Sequence, residues 1–357
     1  MTISTSTMIT VGVMAVLLII GIIFVVRHFK NHQHEEGIAY VIIMFAAEVI
    51  ATSFGTLDDK IFAFLSHKDV GTNYAQLISG FILLALGLFL MLHSKNKMYI
   101  LNLNGMSHDR RIDNHHKEVG LNPFQFKEKE VDFVRLYNRK MSSKVASEII
   151  QEIKYKVEVF KQESKDKKRG YTGIAAIPFV LLAGKFFNRS VMNEYFEYNK
   201  FQQVYYRLTS KRRFPRLTLV QNDAISRLRS ANCNEIAIAI SITASINNDQ
   251  LAQFTCPHVF LSVTNPDDNI IKYKEQLKSY VKTTYDLLID ANEKISHLNK
   301  IHLIISSQSC FAFELGQLIE DTRIPMVISY QYNTQSEPKY PWGIIINGDQ
   351  QGKYVQS

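Results

Sequence analysis

Two long stretches in the first 95 residues lack any charged side chain, and they restrict what this part of the chain can form. Residues 1–26 carry no charge, and Met8–Val26 is a run of 19 apolar or small residues. Ala75–Leu92 is a second such run. About 20 apolar residues in a helix cross the roughly 30 Å hydrocarbon layer of a bilayer. We therefore predict transmembrane spans at residues 8–26 and 75–92.

A third apolar run, Ile38–Phe54, is shorter and contains Glu48. A charged side chain at the centre of a membrane helix costs about 2.5–3.5 kcal/mol, which the Ile, Val and Phe residues around it can offset. The run is a marginal transmembrane span. The alternative is a helix that lies in the membrane interface or packs on the other two spans. Glu48 is a candidate functional residue of the membrane region, or else a protonated or interfacial group without a function.

The Lys and Arg residues beside the spans predict their orientation, because cytosolic flanks carry the excess of positive charge. The segment after the last span is rich in them: Lys95, Lys97, Arg110, Arg111 and Lys117. Arg27 and Lys30 follow the first span and are also cytosolic if there are three spans. We therefore prefer three spans to two and expect the C-terminal part in the cytosol. The N-terminus lacks the basic start of a signal peptide, which predicts a retained anchor.

The positive charge of the chain lies outside its membrane region. The net charge is +8, whereas residues 1–93 hold four Lys or Arg against six Asp or Glu. A basic cytosolic part suits attraction to anionic lipid headgroups or to a polyanion such as an oligonucleotide. The three cysteines, Cys233, Cys256 and Cys310, are far apart in sequence and form no CxxC pair. They predict neither a disulfide framework nor a zinc site.

Three regions are predicted: a membrane region at residues 1–95, a helical connector at residues 96–165 and a sensing domain at residues 166–357. Within the connector, Met98–Asn104 is predicted as a strand and Phe126–Phe160 as a helix. The apolar face of that helix consists of Val145, Ile149, Ile153, Val157 and Phe160. The charged run Lys161–Gly170 marks the boundary of the sensing domain.

From Tyr171 onward, strands and helices alternate, which indicates an α/β domain. We predict a buried strand at Ile174–Ala183, interrupted by Pro178, and a helix at Asn193–Tyr206. Further strands are predicted at Leu217–Val220, Glu235–Thr243 and His258–Val263, followed by a long helix within Asp267–Asn299.

The C-terminal stretch from Ile301 to Asn347 has the clearest pattern of a strand, a polar turn, a helix and two further strands. The strands are predicted at Ile301–Ser306, Met326–Tyr330 and Trp342–Ile346, and the helix bears Phe311, Leu315 and Ile319. This order is half of a doubly wound sheet, in which ligands bind beyond the carboxyl ends of the strands. The polar turn is therefore a predicted binding site.

Four residues of that turn are the first candidates for ligand binding: Ser306, Ser307, Gln308 and Ser309. Hydroxyl groups and free backbone N–H groups at the start of a helix can hold phosphate oxygens. The alternative is plain helix capping, for which Ser is a favoured residue.

Further candidates lie at the ends of other predicted strands. Lys185, whose ammonium group can meet a phosphate, follows the first strand of the domain. Thr243, Thr264 and Asn265 end two others. Three aromatic residues can stack on nucleobases, or else belong to the core: Tyr330, Tyr340 and Trp342.

Four segments in the C-terminal stretch resemble SAVED domains, nucleotide-sensing modules related to CARF domains: IHLIISSQS, AFELGQLI, MVISYQY and YPWGIII. The resemblance extends from about Tyr171 to Ile346. It implies two CARF-like, Rossmann-like halves, starting near Ile174 and His258. Together with the predicted spans, the chain looks like the transmembrane SAVED effectors of the bacterial anti-phage systems called CBASS.

The resemblance also implies a function. Such a protein would sit in the bacterial inner membrane as a multi-pass protein with its sensing domain in the cytosol. It would bind a cyclic oligonucleotide made by a cGAS-like nucleotidyltransferase, form homo-oligomers with the ligand and disrupt the membrane lipid of the infected cell. Duplex nucleic acid is not an expected partner.

Two other functions are compatible with the sequence: a membrane-bound ring nuclease that degrades a cyclic oligonucleotide, and a non-catalytic membrane scaffold. No nucleophile with a neighbouring base, paired carboxylates or metal-ligand spacing is apparent in the sequence. Neither a GxxxxGKS nor a GxGxxG motif is present. We therefore predict no catalytic residue, no metal and no cofactor.

Overall fold

The computed structural model describes residues 19, 21–30, 34–54, 72–106, 111–188, 190–221, 223–228 and 233–357. These residues form two compact units. The first unit comprises Met1–Lys97 and Lys165–Lys167, and the second comprises Met98–Ser164 and Lys168–Ser357.

The first unit is helical. Residues 21–30 are helical, and two longer helices follow, α1 (His34–Thr52) and α2 (Tyr74–Asn96). These two pack closely, because a Cβ atom on Gly80 or Gly87 of α2 would lie within 2.7 Å of the Ile50 or Ile43 side chain of α1. Lys167 contacts the Glu36 carboxylate within the same unit.

One helix in the described part of the chain, α2, is long and apolar enough to cross a membrane. It contains the predicted span at residues 75–92. The predicted span at residues 8–26 lies mostly outside the described residues. The predicted span at residues 38–54 forms most of α1, but α1 carries Glu35, Glu36 and Glu48 and does not meet the same criterion. The multi-pass arrangement therefore stays a prediction.

The first half of the second unit is built on a five-stranded sheet. In chain order its strands are β1 (Met98–Asn104), β2 (Phe126–Asp132), β3 (Lys168–Ile174), β4 (Glu194–Asn199) and β5 (Val204–Arg207). Their order in the sheet is β2-β1-β3-β4-β5, and only the β4–β5 pair is antiparallel. The helices of this half are α3 (Val134–Tyr137), α4 (Ser143–Glu163) and α5 (Ile177–Phe187).

Residues 96–165 are not a separate helical connector, because β1 and β2 belong to the same sheet as β3. The helix predicted at Phe126–Phe160 is correct only in its second part, α4. Its predicted apolar face is confirmed: Val145, Ile149, Ile153, Val157 and Phe160 are buried. Phe126–Asp132 is a strand instead, an edge strand beside β1 in which Phe126 and Val131 are buried and the four charged residues between them are partly exposed.

Two other predictions in this half are wrong. Ile174–Ala183 is not a strand, because β3 ends at Ile174 and α5 begins at Ile177. Pro178 lies in the first turn of α5, where a missing N–H group costs nothing. Asn193–Tyr206 is not a helix but the β4–β5 hairpin, in which Tyr and Phe residues with strong strand preference outweigh the helical spacing.

The second half is built on a seven-stranded sheet. Its strands are β6 (Leu217–Leu219), β7 (Glu235–Ser241), β8 (His258–Val263), β9 (Lys300–Ser306), β10 (Met326–Gln331), β11 (Trp342–Ile345) and β12 (Tyr354–Gln356). The order is β12-β11-β10-β9-β7-β8-β6, with β7, β8, β9 and β10 parallel. The helices are α6 (Ala224–Leu228), α7 (Lys274–Lys294) and α8 (Ser309–Leu318). The strands and helices predicted from Leu217 onward are confirmed.

The two halves join where α5 and α8 cross. A Cβ atom on Gly184 of α5 would lie 2.0 Å from the carbonyl oxygen of Phe313, and one on Gly316 of α8 would lie 2.0 Å from that of Leu181. Each glycine is the eighth residue of its helix and meets the fifth residue of the other. The crossing is thus closely symmetric, and no side chain separates the two backbones.

Candidate ligand-binding cleft

A cleft of about 290 Å³ lies where β3 and β9 end and α5 and α8 begin. The first half contributes residues after β3 and in the β4–β5 hairpin, and the second half contributes the turn after β9 and the loop before α7. The lining residues are Met106, Gly173, Ile174, Ala175, Ile177, Glu197, Tyr198, Lys200, Thr243, Asp268, Asn269, Ser307, Gln308 and Ser309. The N-terminal residues of both crossing helices therefore line the same space.

The start of α8 is held by residues of the first half. The Ser309 hydroxyl lies 2.7 Å from the Tyr171 hydroxyl, and the backbone N–H of Cys310 donates to the Glu197 carboxylate at 2.6 Å. Glu197 is 5% exposed. Burial raises the pKa of Glu197 to about 7, although hydrogen bonds from Cys310 and Ser309 favour its charged form.

Gln308 lines the cleft with most of its hydrogen-bonding capacity already used. Its side-chain oxygen accepts from the Ile271 N–H at 2.6 Å. Its amide nitrogen donates to the Tyr206 hydroxyl at 2.6 Å and to the Ile271 carbonyl at 3.1 Å. Gln308 therefore fixes the loop before α7, and its part in ligand binding stays a prediction.

Ser306 and Thr243 lie side by side at the ends of β9 and β7. Their hydroxyl oxygens are 2.9 Å apart, and the Ser306 hydroxyl oxygen accepts from the backbone N–H of Ala244 at 3.0 Å. Thr243 lines the cleft together with Ser307, as predicted from the ends of their strands. The structure thus brings Thr243, Ser306, Ser307 and Ser309 together.

Sequence reasoning missed several residues that line this cleft, in the β4–β5 hairpin of the first half and in the loop before α7 of the second half. Lys200 and Asp268 form an ion pair of 3.0 Å across it, and Tyr198 and Glu197 line its wall. Asn269 has a positive φ of 62°, a conformation that Asn tolerates better than most residues. Glu197, Tyr198 and Lys200 belong to the hairpin that was predicted as a helix, so no strand end pointed to them.

Lys185 does not line the cleft. It lies in the last turn of α5 rather than at a strand end. Its ammonium group donates to the Ile319 carbonyl at 2.6 Å and to the Asp321 carboxylate at 2.9 Å. These contacts connect the end of α5 to the segment after α8, which gives Lys185 a structural role.

The three predicted aromatic residues lie elsewhere. Tyr330 and Tyr340 are buried and pack on Phe254, in an apolar cluster separate from the main core. Trp342 is buried against Phe179. In this structure each of the three is a core residue, which was the alternative to stacking on a nucleobase. Thr264 and Asn265 are exposed after β8 and do not line the cleft.

A basic segment runs beside the loop before α7. Thr209 exchanges backbone hydrogen bonds with Lys272 and Lys274, and Ile271 in the same loop is held by Gln308. The segment continues with four exposed cations, Lys211, Arg212, Arg213 and Arg216. It supplies positive charge next to the lining residues of the second half.

The arrangement is that of a binding cleft between two Rossmann-like halves. Within the described ranges, no group of three or more His, Cys, Asp or Glu residues could hold a metal ion. What meets in the cleft are hydroxyl groups, backbone N–H groups and an ammonium group. The second unit is thus a two-half α/β structure with a polar cleft where its strands end and its helices begin.

The model of the SAVED family, the SMODS-associated and fused to various effectors sensor domain, matches residues 153–346. This match covers more than half of the chain, which therefore belongs to the SAVED family. The resemblance stated from the sequence is confirmed. The second unit of the structure begins earlier than the matched region, at Met98.

Solved structures with a similar fold include two SAVED/CARF-domain receptors called Cap4. The Acinetobacter baumannii receptor with the cyclic trinucleotide 2'3'3'-cAAA has a TM-score of 0.47 and 15% identity, with 78% of this chain and 55% of that chain covered. The Moraxella osloensis receptor has a TM-score of 0.44 and 15% identity, with 77% and 53% covered. The chain thus spans about half the length of these receptors. No curated protein matches the sequence.

Proposed function

We propose that this protein is a receptor for a cyclic oligonucleotide and that the cleft between α5 and α8 is its ligand-binding site. The observation that carries the proposal is the meeting of two helix N-termini, one from each half, in a single cleft. Helix N-termini favour phosphate through their backbone N–H groups and their dipoles. Membership of a family of sensor domains supports the same function.

The cleft supplies the groups that a nucleotide needs. Thr243, Ser307 and Ser309 offer hydroxyl groups, and Lys200 offers an ammonium group that can exchange Asp268 for a phosphate. At about 290 Å³ the cleft is at the lower end of the usual volumes of ligand pockets. Part of a cyclic oligonucleotide would therefore lie outside it, where the basic segment from Lys211 to Arg216 can attract its phosphates.

The proposal includes the membrane. Helix α2 would anchor the protein in the bacterial inner membrane, together with the predicted spans at residues 8–26 and 38–54. The sensing part would lie in the cytosol, bind a messenger made by a cGAS-like nucleotidyltransferase after phage infection, and gather several copies. Clustering of the spans would then disrupt the membrane, with Glu48 facing a helix interface or an aqueous path.

Binding is tested with the full-length protein in detergent. We expect titration calorimetry to detect binding of at least one cyclic trinucleotide, with 2'3'3'-cAAA and 3'3'3'-cAAA included because they are the ligands of the Cap4 structures. The linear trinucleotide pApApA serves as the control. Chromatography of the recovered ligand separates binding from cleavage, since a ring nuclease would return a linear product. Failure of every cyclic di-, tri- and tetranucleotide to bind would contradict the proposal.

A further inference from the structure

Glu197 already occupies the position where a phosphate would bind at α8. Its carboxylate accepts a hydrogen bond of 2.6 Å from the backbone N–H of Cys310, in the first turn of that helix. This N–H group is one of those that lack a partner within the helix and that bind anions at helix N-termini. The residue belongs to β4, so an anion of the first half fills the site offered by the second half.

The groups around Glu197 do not neutralise it. Tyr171 on β3, Tyr206 on β5 and Cys310 on α8 are its titratable neighbours, and all three are neutral at pH 7. Lys200 lines the same cleft but forms its ion pair with Asp268. In the part of the chain that the structure describes, no Lys, Arg or His lies within ion-pair distance of Glu197. Among the described residues, its charge is compensated by hydrogen bonds from the Cys310 thiol and from the backbone N–H groups of Cys310 and Ser309 at the start of α8.

We propose that Glu197 is an internal competitor of the ligand, an anion that holds the N-terminus of α8 until a ligand phosphate enters the cleft and Glu197 takes up a proton. This inference rests on the function proposed above. A phosphate and an ionised carboxylate cannot share the same helix N-terminus without repulsion in a site of low dielectric constant. Uptake of one proton from solvent removes that repulsion and leaves a neutral carboxylic acid.

The sign of the pH dependence follows. Burial places the pKa of Glu197 at about 7 in the free protein, and the negative charge of a bound ligand raises it further. The ligand therefore binds the protonated form better. Affinity should be highest below pH 7 and should fall above it, by at most about tenfold per pH unit for one proton.

Glu314 provides a matched control. Burial raises the pKa of its carboxyl group to about 7 as well, and it lies on α8, one turn after Cys310. It does not line the cleft, and it accepts its hydrogen bond from the Gln317 side chain. A Glu314→Gln variant therefore removes a titration in the same pH range while leaving the cleft as it is.

The experiment measures the dissociation constant of the full-length protein for the tightest-binding cyclic trinucleotide between pH 6 and pH 9. We expect Glu197→Gln to bind at pH 8.5 roughly tenfold more tightly than the wild type and with little pH dependence. Glu314→Gln should keep the wild-type profile. Calorimetry in buffers of different ionisation enthalpy should show proton uptake near one at pH 8 for the wild type and near zero for Glu197→Gln.

Each other outcome overturns the inference. A wild type that binds with the same affinity across this pH range would mean that binding takes up no proton. A pH dependence that survives in Glu197→Gln and disappears in Glu314→Gln would mean that another group than Glu197 takes it up. If Glu197→Gln binds more weakly at pH 8.5, while its circular dichroism and melting temperature are unchanged, the Glu197 carboxylate contacts the ligand instead of competing with it. In these cases the proposed receptor function stands. A wild type that binds no cyclic oligonucleotide overturns both.

Discussion

Among the described residues, no cation pairs with the carboxyl groups of Glu197 and Glu314, and each carries a cost in stability above neutral pH. Burial raises the pKa values of Glu197 and Glu314 to about 7 from about 4.5. A carboxyl group with a raised pKa in the folded state favours folding when it is protonated. Its contribution is complete below pH 4.5, declines between pH 4.5 and pH 7, and is lost above that range.

We expect Glu314→Gln to stabilise the protein more strongly at pH 8 than at pH 5. The half-buried carboxylate must be held ionised at the higher pH, and the amide removes this cost, on the order of 2 kcal/mol after allowance for partial exposure. At pH 5 the Glu314 carboxyl group is mostly neutral in the folded protein, so the gain in the free energy of unfolding from Gln should be much smaller. Urea denaturation at both pH values is the measurement. An equal gain at both would point to packing instead.

Gln308 should contribute to the stability of the second unit. Its side chain makes three hydrogen bonds, to the Ile271 N–H, the Ile271 carbonyl and the Tyr206 hydroxyl. We expect Gln308→Ala to lower the free energy of unfolding by about 2–3 kcal/mol, because the Ile271 backbone groups lose their partners. Ser307→Ala is the control, since its hydroxyl bonds only to the adjacent Gln308 carbonyl, and it should cost less than about 1 kcal/mol. Similar losses in both variants would contradict this assignment.

The candidate site was half predictable from the sequence. The turn Ser306–Ser309 follows a mostly apolar strand, so its position at a sheet edge could be deduced, and Thr243 follows another such strand. Glu197 and Lys200 were not found, because Tyr and Phe residues repeat in β4 and β5 at intervals that also suit a helix. The hydrogen bonds of Gln308 could not be predicted, because its partners, Tyr206 and Ile271, are far from it in the chain.

At the scale of elements, the crossing of α5 and α8 is the contact that shapes the cleft. Gly184 and Gly316 allow backbone to touch backbone, and the first residues of both helices line the cleft. The sequence contains both glycines but gives no sign that they meet, since they are 132 positions apart. Helix α5 was predicted as a strand at Ile174–Ala183 because a mostly buried helix is apolar on nearly all sides. Its sequence therefore lacks the helical period of an amphipathic helix.

We expect Gly184→Ala and Gly316→Ala to destabilise the second unit by about 1–3 kcal/mol each, although Ala is the better helix former. The added methyl group would lie 2.0 Å from a backbone carbonyl oxygen in either case, so the helices must separate. Because one separation accommodates both methyl groups, the double variant should cost less than the two single variants together. Thermal unfolding of the four proteins measures this, and strict additivity would contradict a shared contact.

At the scale of the whole molecule, the proposed output depends on the membrane region. Helix α2 exposes a broad apolar surface that includes Ile78, Ile82, Leu86 and Phe89. Two or three such helices cannot enclose a water-filled path within one copy. Permeation of a membrane would therefore require several copies side by side, and the ligand must favour the assembled state strongly.

We expect liposomes that carry the full-length protein to release a trapped dye only when the cyclic ligand is added on the side of the sensing domain. Glu48→Leu should slow the release at least several-fold if Glu48 faces a helix interface or an aqueous path, because Leu cannot replace the polar contacts of the carboxyl group there. A lipid-facing Glu48 would instead be replaced without loss. Leu86→Val on α2 is the control and should release dye as the wild type does. Ligand binding without clustering or release would contradict the effector proposal, whereas full release by Glu48→Leu would remove only the role of that residue.

The spacing of α5 and α8 and the polar groups of the cleft depend on different residues. The two glycines set how closely the helices approach, whereas the polar groups of the cleft come from loops, the β4–β5 hairpin and the first residue of α8. A redesign of the receptor for another ligand could therefore exchange hydroxyl, carboxyl and ammonium groups along the walls without moving the two helices. A ligand of different girth would instead demand new residues at positions 184 and 316, which do not line the cleft.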